Sequence, residues 1–182
     1  MADIKPPEPV AFICGLLAGR EAWIDEAVAL LGDRVGGIDA VSDTVAFDFT
    51  DYYEREMGPG LLRRFVSFDA LRDPADLADV KRLTNDLERE VAGDVARPVN
   101  LDPGTLSAGQ LVLASTKPYA HRVYLRDGIY AEVTLLYERG RWVPLPWTYP
   151  DYAAPVYHPF LTDVRRRYKA RLREAPRETV PQ

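Results

Sequence analysis

The hydrophobic and polar positions of the chain alternate between two periods, one typical of strands and one typical of helices. Val10–Leu17 is an uninterrupted apolar run of buried-strand length, and the stretch from Glu21 to Leu31 carries apolar residues at helical spacing before Gly32. Asp73 is a predicted N-cap, followed by Pro74 at the first helical position. This second helix has one apolar stripe, formed by Leu77, Val80, Leu83, Leu87 and Val91. The pattern therefore predicts a strand followed by two helices with further strands between them.

The remaining apolar runs predict strands and one last helix. The strands are Val45–Phe49, Leu61–Phe68, Val99–Leu101, Leu111–Ser115, Ala120–Leu125, Ile129–Tyr137 and Arg141–Val143. Asp102-Pro103-Gly104 is typical of a turn, and Pro159–Leu172 predicts a C-terminal helix. The order begins βαββαβ, so the fold class is α+β: a two-layer sandwich with a ferredoxin-like start, an added antiparallel hairpin and meander, and the C-terminal helix. A different topology built from the same elements stays open.

The hairpin around Asp127-Gly128 admits two registers. A two-residue turn mixes polar and apolar side chains on both faces, whereas a three-residue Arg126-Asp127-Gly128 loop separates them. We prefer the three-residue loop. It places Leu125 opposite Ile129 and Val123 opposite Ala131, and it also pairs Arg122 with Glu132 and Tyr124 with Tyr130.

Length and charge narrow the class of protein. The chain has 182 residues and a net charge of -5, which fits one domain over residues 10–173 and makes nucleic acid an unfavourable partner. We expect disordered ends at residues 1–9 and 174–182. The start lacks the pattern of a signal peptide, no apolar run has the length of a membrane span, and Cys14 is the single cysteine, which together favour the cytoplasm. The sequence does not indicate an oligomeric state.

The acidic segment Asp48–Gly60 is the first candidate for chemistry. Asp48 and Asp51 are candidate ligands of magnesium or manganese, because hard cations prefer carboxylate oxygens. Asp102 is a further ligand or base, and His121 is the candidate general base. Together they predict a metal-dependent hydrolase or phosphotransfer enzyme. The alternative is a surface loop held by its own aromatic residues.

Cationic and aromatic side chains form the second candidate. Arg122 and Lys117 are suited to bind phosphate, and aromatic side chains later in the chain are suited to stack on a base. The predicted ligand-binding residues are Lys117, Arg122, Tyr124, Glu132, Trp147 and Tyr149. This pattern favours binding of a nucleotide or another small anionic metabolite. Cross-strand pairing within the sheet explains part of the same pattern without a ligand, and a protein-interaction subunit is a third alternative.

Several longer motifs resemble one family. They are Phe47-Asp-Phe-Thr-Asp-Tyr-Tyr53, Glu56-Met-Gly-Pro-Gly60, Val99-Asn-Leu-Asp-Pro-Gly104, Leu111-Val-Leu-Ala-Ser-Thr-Lys117, Gly128-Ile-Tyr-Ala-Glu-Val-Thr134 and Pro144-Leu-Pro-Trp-Thr-Tyr-Pro-Asp-Tyr152. The chain resembles the prokaryotic "domain of unknown function 4416" family from about Val10 to Arg173. That family has no established activity, so the resemblance implies no residue roles. Some members are labelled "GTP-binding", but this chain has no G-x-x-x-x-G-K-[ST] loop.

Overall fold

The computed structural model describes residues 3–174, which contain nine strands and five helices. The strands are β1 (Val10–Ala18), β2 (Ile38–Val41), β3 (Val45–Ala46), β4 (Leu62–Arg72), β5 (Val99–Leu106), β6 (Gln110–Ser115), β7 (Val123–Arg126), β8 (Ile129–Glu138) and β9 (Arg141–Pro144). The helices are α1 (Glu21–Arg34), α2 (Glu54–Met57), α3 (Leu77–Glu90), α4 (Pro150–Ala153) and α5 (His158–Glu174). The α+β class is thus confirmed, including the C-terminal helix.

All strands join one antiparallel sheet. Its order is β2-β4-β1-β5-β6-β8-β7, with β3 paired to β4 and β9 paired to β8. The four strands β2, β4, β1 and β5 lie in an order compatible with the expected βαββαβ connection. The ferredoxin-like start itself stays a prediction.

Helices pack on both faces of the sheet because both faces of its central strands are apolar. Phe12, Cys14 and Leu16 of β1 belong to the core beneath α1 and α3, whereas Ala11 and Ile13 belong to the core beneath α5. The α3 stripe is buried as expected, except that Leu83 is partly buried. β1 is consequently buried along its whole length.

Helix boundaries follow local chemistry. The Asp73 side chain accepts a hydrogen bond from the backbone N–H of Ala75 at 2.8 Å, so the predicted cap forms, although a 3₁₀ turn at Pro74–Asp76 precedes α3. Gly32 does not end α1, which continues to Arg34. Gly36, with a φ of 155°, follows the helix instead.

The prediction of a turn at Asp102-Pro103-Gly104 is wrong, because β5 runs through these residues. The Pro103 position is opposite Cys14 of β1 and just outside the pairing of β5 with β6, which starts at Gly104. A proline is tolerated where a strand has no second neighbour that requires its N–H. A Cβ at Gly104 would lie 2.6 Å from the carbonyl oxygen of Val112, so the two strands approach closely where they meet. The pattern also missed β2 and overextended β3, which ends at Ala46.

The hairpin of β7 and β8 combines the two registers. Arg126 pairs with Ile129, so the turn has two residues, Asp127 and Gly128, both at positive φ. The three-residue loop is therefore wrong. A bulge at Leu125 then restores the predicted pairing of Val123 with Ala131 and of Tyr124 with Tyr130.

A second bulge, in β8, directs side chains of this strand into both hydrophobic cores. It lies opposite Leu111 and Val112 of β6, which pair with Leu135 and Val133. Because a bulge reverses the alternation of faces, Leu135 packs in the α5 core while Ile129 packs in the α1 and α3 core. Regular alternation along β8 would place Ile129 and Leu135 on one face, and the bulge is the reason that they lie on opposite faces.

The structure describes only part of the two predicted disordered ends. Residues 3–9 are exposed and form no regular structure, and Glu174 is the last residue of α5. Residues 1–2 and 175–182, which belong to the predicted disordered ends, lie outside the described residues. None of the helices in residues 3–174 combines the length and apolar character needed to cross a membrane.

Candidate functional site

The sheet opens between β5 and β6. The two strands pair only from Gly104 to Leu106 with Leu111 to Leu113, and the earlier part of β5 has no β6 partner. A cavity of about 310 Å³ lies at this opening. Its walls come from β4, β5, β6 and β8, from α3 and α4, and from the segment before α2.

Side chains of α3 replace the missing strand at the edge of β5. The Lys81 ammonium donates to the Leu101 carbonyl at 2.7 Å, and the Leu101 N–H donates to a Glu88 carboxylate oxygen at 2.7 Å. The backbone groups of Leu101 are thus satisfied without β6, as buried backbone groups must be. Burial raises the pKa of Glu88, and this effect outweighs the opposing influence of Lys81 and Arg97.

A buried arginine joins two carboxylates in the wall of the cavity. Arg63, on β4, donates to Asp151 through Nε at 3.0 Å and through Nη2, and to Asp102 through Nη1 at 3.1 Å. Burial alone would raise the pKa of Asp102, but Arg63 and then Lys81 outweigh it and hold the pKa below its ordinary value. The Asp102 carboxyl is therefore ionised at neutral pH.

This cluster extends along β5 through Asn100. The Asn100 amide donates to Asp102 at 2.7 Å, and its carbonyl oxygen accepts from Arg97. Arg97 also donates to Glu88 at 2.7 Å. Asp102, Asn100, Arg97 and Glu88 thus form a continuous polar chain from the cavity to α3.

A second buried arginine holds the far wall. Arg122 donates through Nε to Glu132 at 2.6 Å, through Nη1 to Ser115 and to the Lys117 carbonyl, and through Nη2 to the Tyr149 hydroxyl. The guanidinium is therefore bound by the protein on each nitrogen. The predicted contact of Arg122 with Glu132 is present, and its role here is to position Glu132 and Tyr149.

Aromatic side chains close the cavity. They are Phe47, Phe49, Tyr52, Tyr53, Tyr149 and Tyr152. Burial raises the pKa of Tyr53, Tyr149 and Tyr152, so their hydroxyls stay protonated. The Lys117 ammonium stands at the entrance, 3.1 Å from the exposed Tyr52 hydroxyl and 4.9 Å from the centre of its ring.

Gly15 makes room for these groups. A Cβ at this position of β1 would lie 2.6 Å from the Tyr152 hydroxyl, 3.0 Å from Phe65 and 3.3 Å from Nη1 of Arg63. Within residues 3–174 the buried Tyr152 hydroxyl has no hydrogen-bond partner. Only a residue without a side chain fits between β1 and this cluster.

The two predicted catalytic residues belong to different networks. Asp102 lines the cavity and contacts Arg63, whereas His121 lies behind the wall, with Nε2 3.2 Å from a Glu132 oxygen. The His121 ring stacks on Trp147, with centroids 5.2 Å apart and an interplanar angle of 9°. Among the described residues, Asp102 and His121 therefore share no hydrogen-bond partner.

The predicted metal ligands lie elsewhere. Asp48 and Asp51 line a neighbouring groove together with Glu54 and Gly60, while Asp102 lines the cavity between β5 and β6. In the part of the chain that the structure describes, no group of three or more histidine, cysteine, aspartate or glutamate residues is arranged to hold a metal ion. The structure therefore does not assemble the three carboxylates around one point.

The predicted ligand-binding residues divide into two groups. Lys117, Glu132 and Tyr149 line the cavity. Trp147 lies outside, where its indole N–H donates to the Val133 carbonyl, and Tyr124 is exposed on the hairpin against Tyr130. His158, at the start of α5, contacts the Tyr152 carbonyl.

Sequence reasoning missed the two cations deepest in the site, Arg63 and Lys81. Arg63 interrupts the apolar run of β4, and Lys81 lies on the inward side of α3 beside Thr84 and Glu88. For Arg63, a charge within an otherwise apolar strand was the available signal, because a buried charge requires a partner. Asp151 was equally hidden, within the proline-rich motif that ends at Tyr152.

Comparison with known proteins gives a family without an assigned activity. The family model described as "Domain of unknown function (DUF4416)" matches residues 8–168 of the chain. No curated protein matches the chain, and no solved structure does. The matched range includes every residue that lines the cavity.

Proposed function

We propose, for a chain that belongs to the DUF4416 family, that the cavity between β5 and β6 binds a small anionic metabolite. The observation that carries this proposal is the buried ammonium of Lys81. A nucleotide is the specific ligand predicted from the sequence and is the first to test. The cytoplasmic location predicted from the single cysteine belongs to the same proposal.

Lys81 has unused hydrogen-bonding capacity. Its side chain lines the cavity, the residue is 6% exposed, and the ammonium donates one hydrogen bond to the described residues. An ammonium has three N–H donors, and burying a charged group without partners is costly. An anionic group in the cavity would accept the two remaining hydrogen bonds and offset the cost of burying the charge.

The size and entrance of the cavity support a small ligand. A volume of about 310 Å³ is at the lower end of the range for small-molecule sites. Lys117 at the entrance keeps its predicted role toward an anion, and Tyr149 in the wall keeps its role toward a ring. Arg122, whose nitrogens are bound by the protein, acts by positioning these walls.

Thermal unfolding with and without ligand tests this proposal. We expect a nucleotide at 100 times its dissociation constant to stabilise the protein by about 2.7 kcal/mol, which is roughly 5–10 °C in Tm for a domain of this size. Lys81→Met should remove most of the shift, whereas Lys169→Met, the same substitution on α5, should keep it. The series is run with and without magnesium, because a shift that requires the metal and fails in Asp48→Asn would favour the metal-dependent enzyme instead.

Two results would contradict anion binding at Lys81. Equal shifts in Lys81→Met and in the parent chain would place the anion elsewhere. Unchanged melting curves with nucleotides, sugar phosphates and carboxylates would remove the binding function itself.

A protein-interaction role is the second candidate, favoured by the exposed edge strand β7. Val123, Tyr124 and Leu125 are exposed there, although they are large apolar side chains. Such an edge can pair with another chain. If so, Val123→Lys should abolish association with a copurifying protein and leave the nucleotide-dependent Tm shift unchanged.

A further inference from the structure

We propose that the ligand of this cavity carries hydrogen-bond donors opposite its anionic group, and this inference rests on the proposed function. The cavity wall presents carboxylate oxygens that the protein leaves free, next to the buried cation. An anion without hydrogen-bond donors would pair with Lys81 but would leave these carboxylate oxygens without a partner.

The free acceptors begin with Asp102 and Asp151. Oδ2 of Asp102 accepts from Arg63 and from Asn100, and Oδ2 of Asp151 accepts twice from Arg63. In residues 3–174 the other oxygen of each carboxylate has no hydrogen bond, and both residues line the cavity. An ionised carboxylate can only accept, so the group that meets it must donate.

Glu132 adds a third acceptor on the far wall. Its Oε2 accepts from Arg122 at 2.6 Å and lies 3.2 Å from His121, whereas Oε1 has only a 3.4 Å contact with Thr134. Both carboxylate walls are thus fixed by a buried arginine before any ligand enters. Fixed acceptors favour a ligand whose donors have a matching geometry.

The Lys81 ammonium and the Asp102 carboxylate lie near each other in the lining of one cavity. The carbonyl that holds the Lys81 ammonium belongs to Leu101, the neighbour of Asp102 in the chain. The positive charge of Lys81 also lowers the pKa of Asp102, as expected for two side chains that lie close together. An anionic group at Lys81 therefore leaves the rest of the ligand beside Asp102.

The balance of charges in the lining disfavours a ligand that carries only negative charge. The cavity has as many positive as negative side chains: Arg63, Lys81, Arg97 and Lys117 against Glu56, Asp102, Glu132 and Asp151. A ligand that places only negative charge here would be repelled by the carboxylates. Hydroxyl groups of a sugar or polyol acid and the ammonium of an amino acid are two sources of the required donors.

Matched ligand pairs test the inference on the unaltered protein. Calorimetric titration would compare propyl phosphate with glycerol 3-phosphate, and propionate with glycerate and with alanine. We expect the donor-bearing member of at least one pair to bind about tenfold more tightly, which corresponds to about 1.4 kcal/mol. The glycerate and alanine arms distinguish the hydroxyl from the ammonium source.

Substitution of one acceptor provides the second measurement. Asp102→Asn should reduce the preference for the donor-bearing ligand several-fold, and Glu132→Gln provides the same test on the other wall. Asp86→Asn, at an exposed site of α3, should leave the preference unchanged.

The outcomes separate this inference from the proposed function. Equal affinities within every pair, with binding lost in Lys81→Met, would overturn the donor requirement and leave the anion site intact. A preference that survives both acceptor substitutions would also overturn it. Absence of binding by all of these ligands and by the nucleotides of the thermal unfolding series would refute the proposed function, and the inference with it.

Discussion

Replacing Arg63 with methionine tests a buried charge cluster that lines the cavity. The Arg63 side chain is 4% exposed and donates three hydrogen bonds to two carboxylates, of which Asp151 is 5% and Asp102 24% exposed. Arg63→Met retains much of the volume but leaves both carboxylates without their guanidinium. Breaking a buried ion pair from one side costs about 3–5 kcal/mol. Against a total stability of about 5–15 kcal/mol for a typical domain, this is a large loss.

The loss of stability in Arg63→Met should depend on pH, and the pKa of Asp102 determines the direction of this dependence. In the parent protein the pKa of Asp102 is lowered, so its stabilising contribution is complete above the unfolded pKa of about 3.9 and is lost as the pH falls through the lower folded pKa. In Arg63→Met we expect the pKa of this carboxyl to rise, because burial is the largest influence on it and the strongest opposing charge is removed, so lowering the pH should relieve the uncompensated charge. The difference in stability between the two proteins should therefore narrow from pH 7 to about pH 4.5.

Urea unfolding at several pH values measures this difference. The control is Arg64→Met, because Arg64 is the next residue of β4 but pairs with exposed Glu21 and Asp25 on α1. The Arg64 side chain is itself only 12% exposed, but its two carboxylate partners are more than 60% exposed and stay hydrated without it, so this variant should lose less than Arg63→Met. A loss below about 1 kcal/mol in Arg63→Met at pH 7, or a loss that does not change with pH, would refute the account of the cluster.

Three smaller predictions concern packing and turn geometry. Gly15→Ala should destabilise the protein by about 1–3 kcal/mol because of the contact with the Tyr152 hydroxyl, and adding Tyr152→Phe should recover part of the loss in a double-mutant cycle. Tyr157→Phe should raise Tm by roughly 2–4 °C, because it removes a buried hydroxyl that has no partner within residues 3–174, and a lower Tm would contradict this. Gly128→Ala should cost about 1 kcal/mol in urea unfolding, because Gly128 has a φ of 77° in the turn after Asp127; an unchanged stability would argue against the two-residue turn.

The hairpin shows how far local reasoning reaches. The separation of polar from apolar residues predicted that Val123 pairs with Ala131 and Tyr124 with Tyr130, and both pairs are present. The turn differs from the predicted one, because a two-residue turn combined with a bulge at Leu125 gives the same strand pairing as the predicted three-residue loop. Pairing followed from side-chain pattern, whereas the position of the extra residue depended on how the hairpin packs.

The candidate site was only partly accessible from sequence. Asp102, Lys117, Glu132 and Tyr149 were selected by residue type and line the cavity. Lys81 was not selected, because it lies in a helix whose apolar stripe explains the local pattern completely. Its importance arises only when α3 lies across the edge of β5.

The sequence by itself determined the positions of α1, α3, α5 and most of the strands, where α3 is capped, and that the chain is an α+β protein of the DUF4416 family. Those properties depend on neighbouring residues, which periodicity and caps report directly. The tertiary structure decided that β5 continues through Pro103, that β5 and β6 separate, and that Arg63 meets Asp151. These contacts join residues far apart in the chain. They depend on strand pairing and on the need to compensate buried charges, which no local pattern contains.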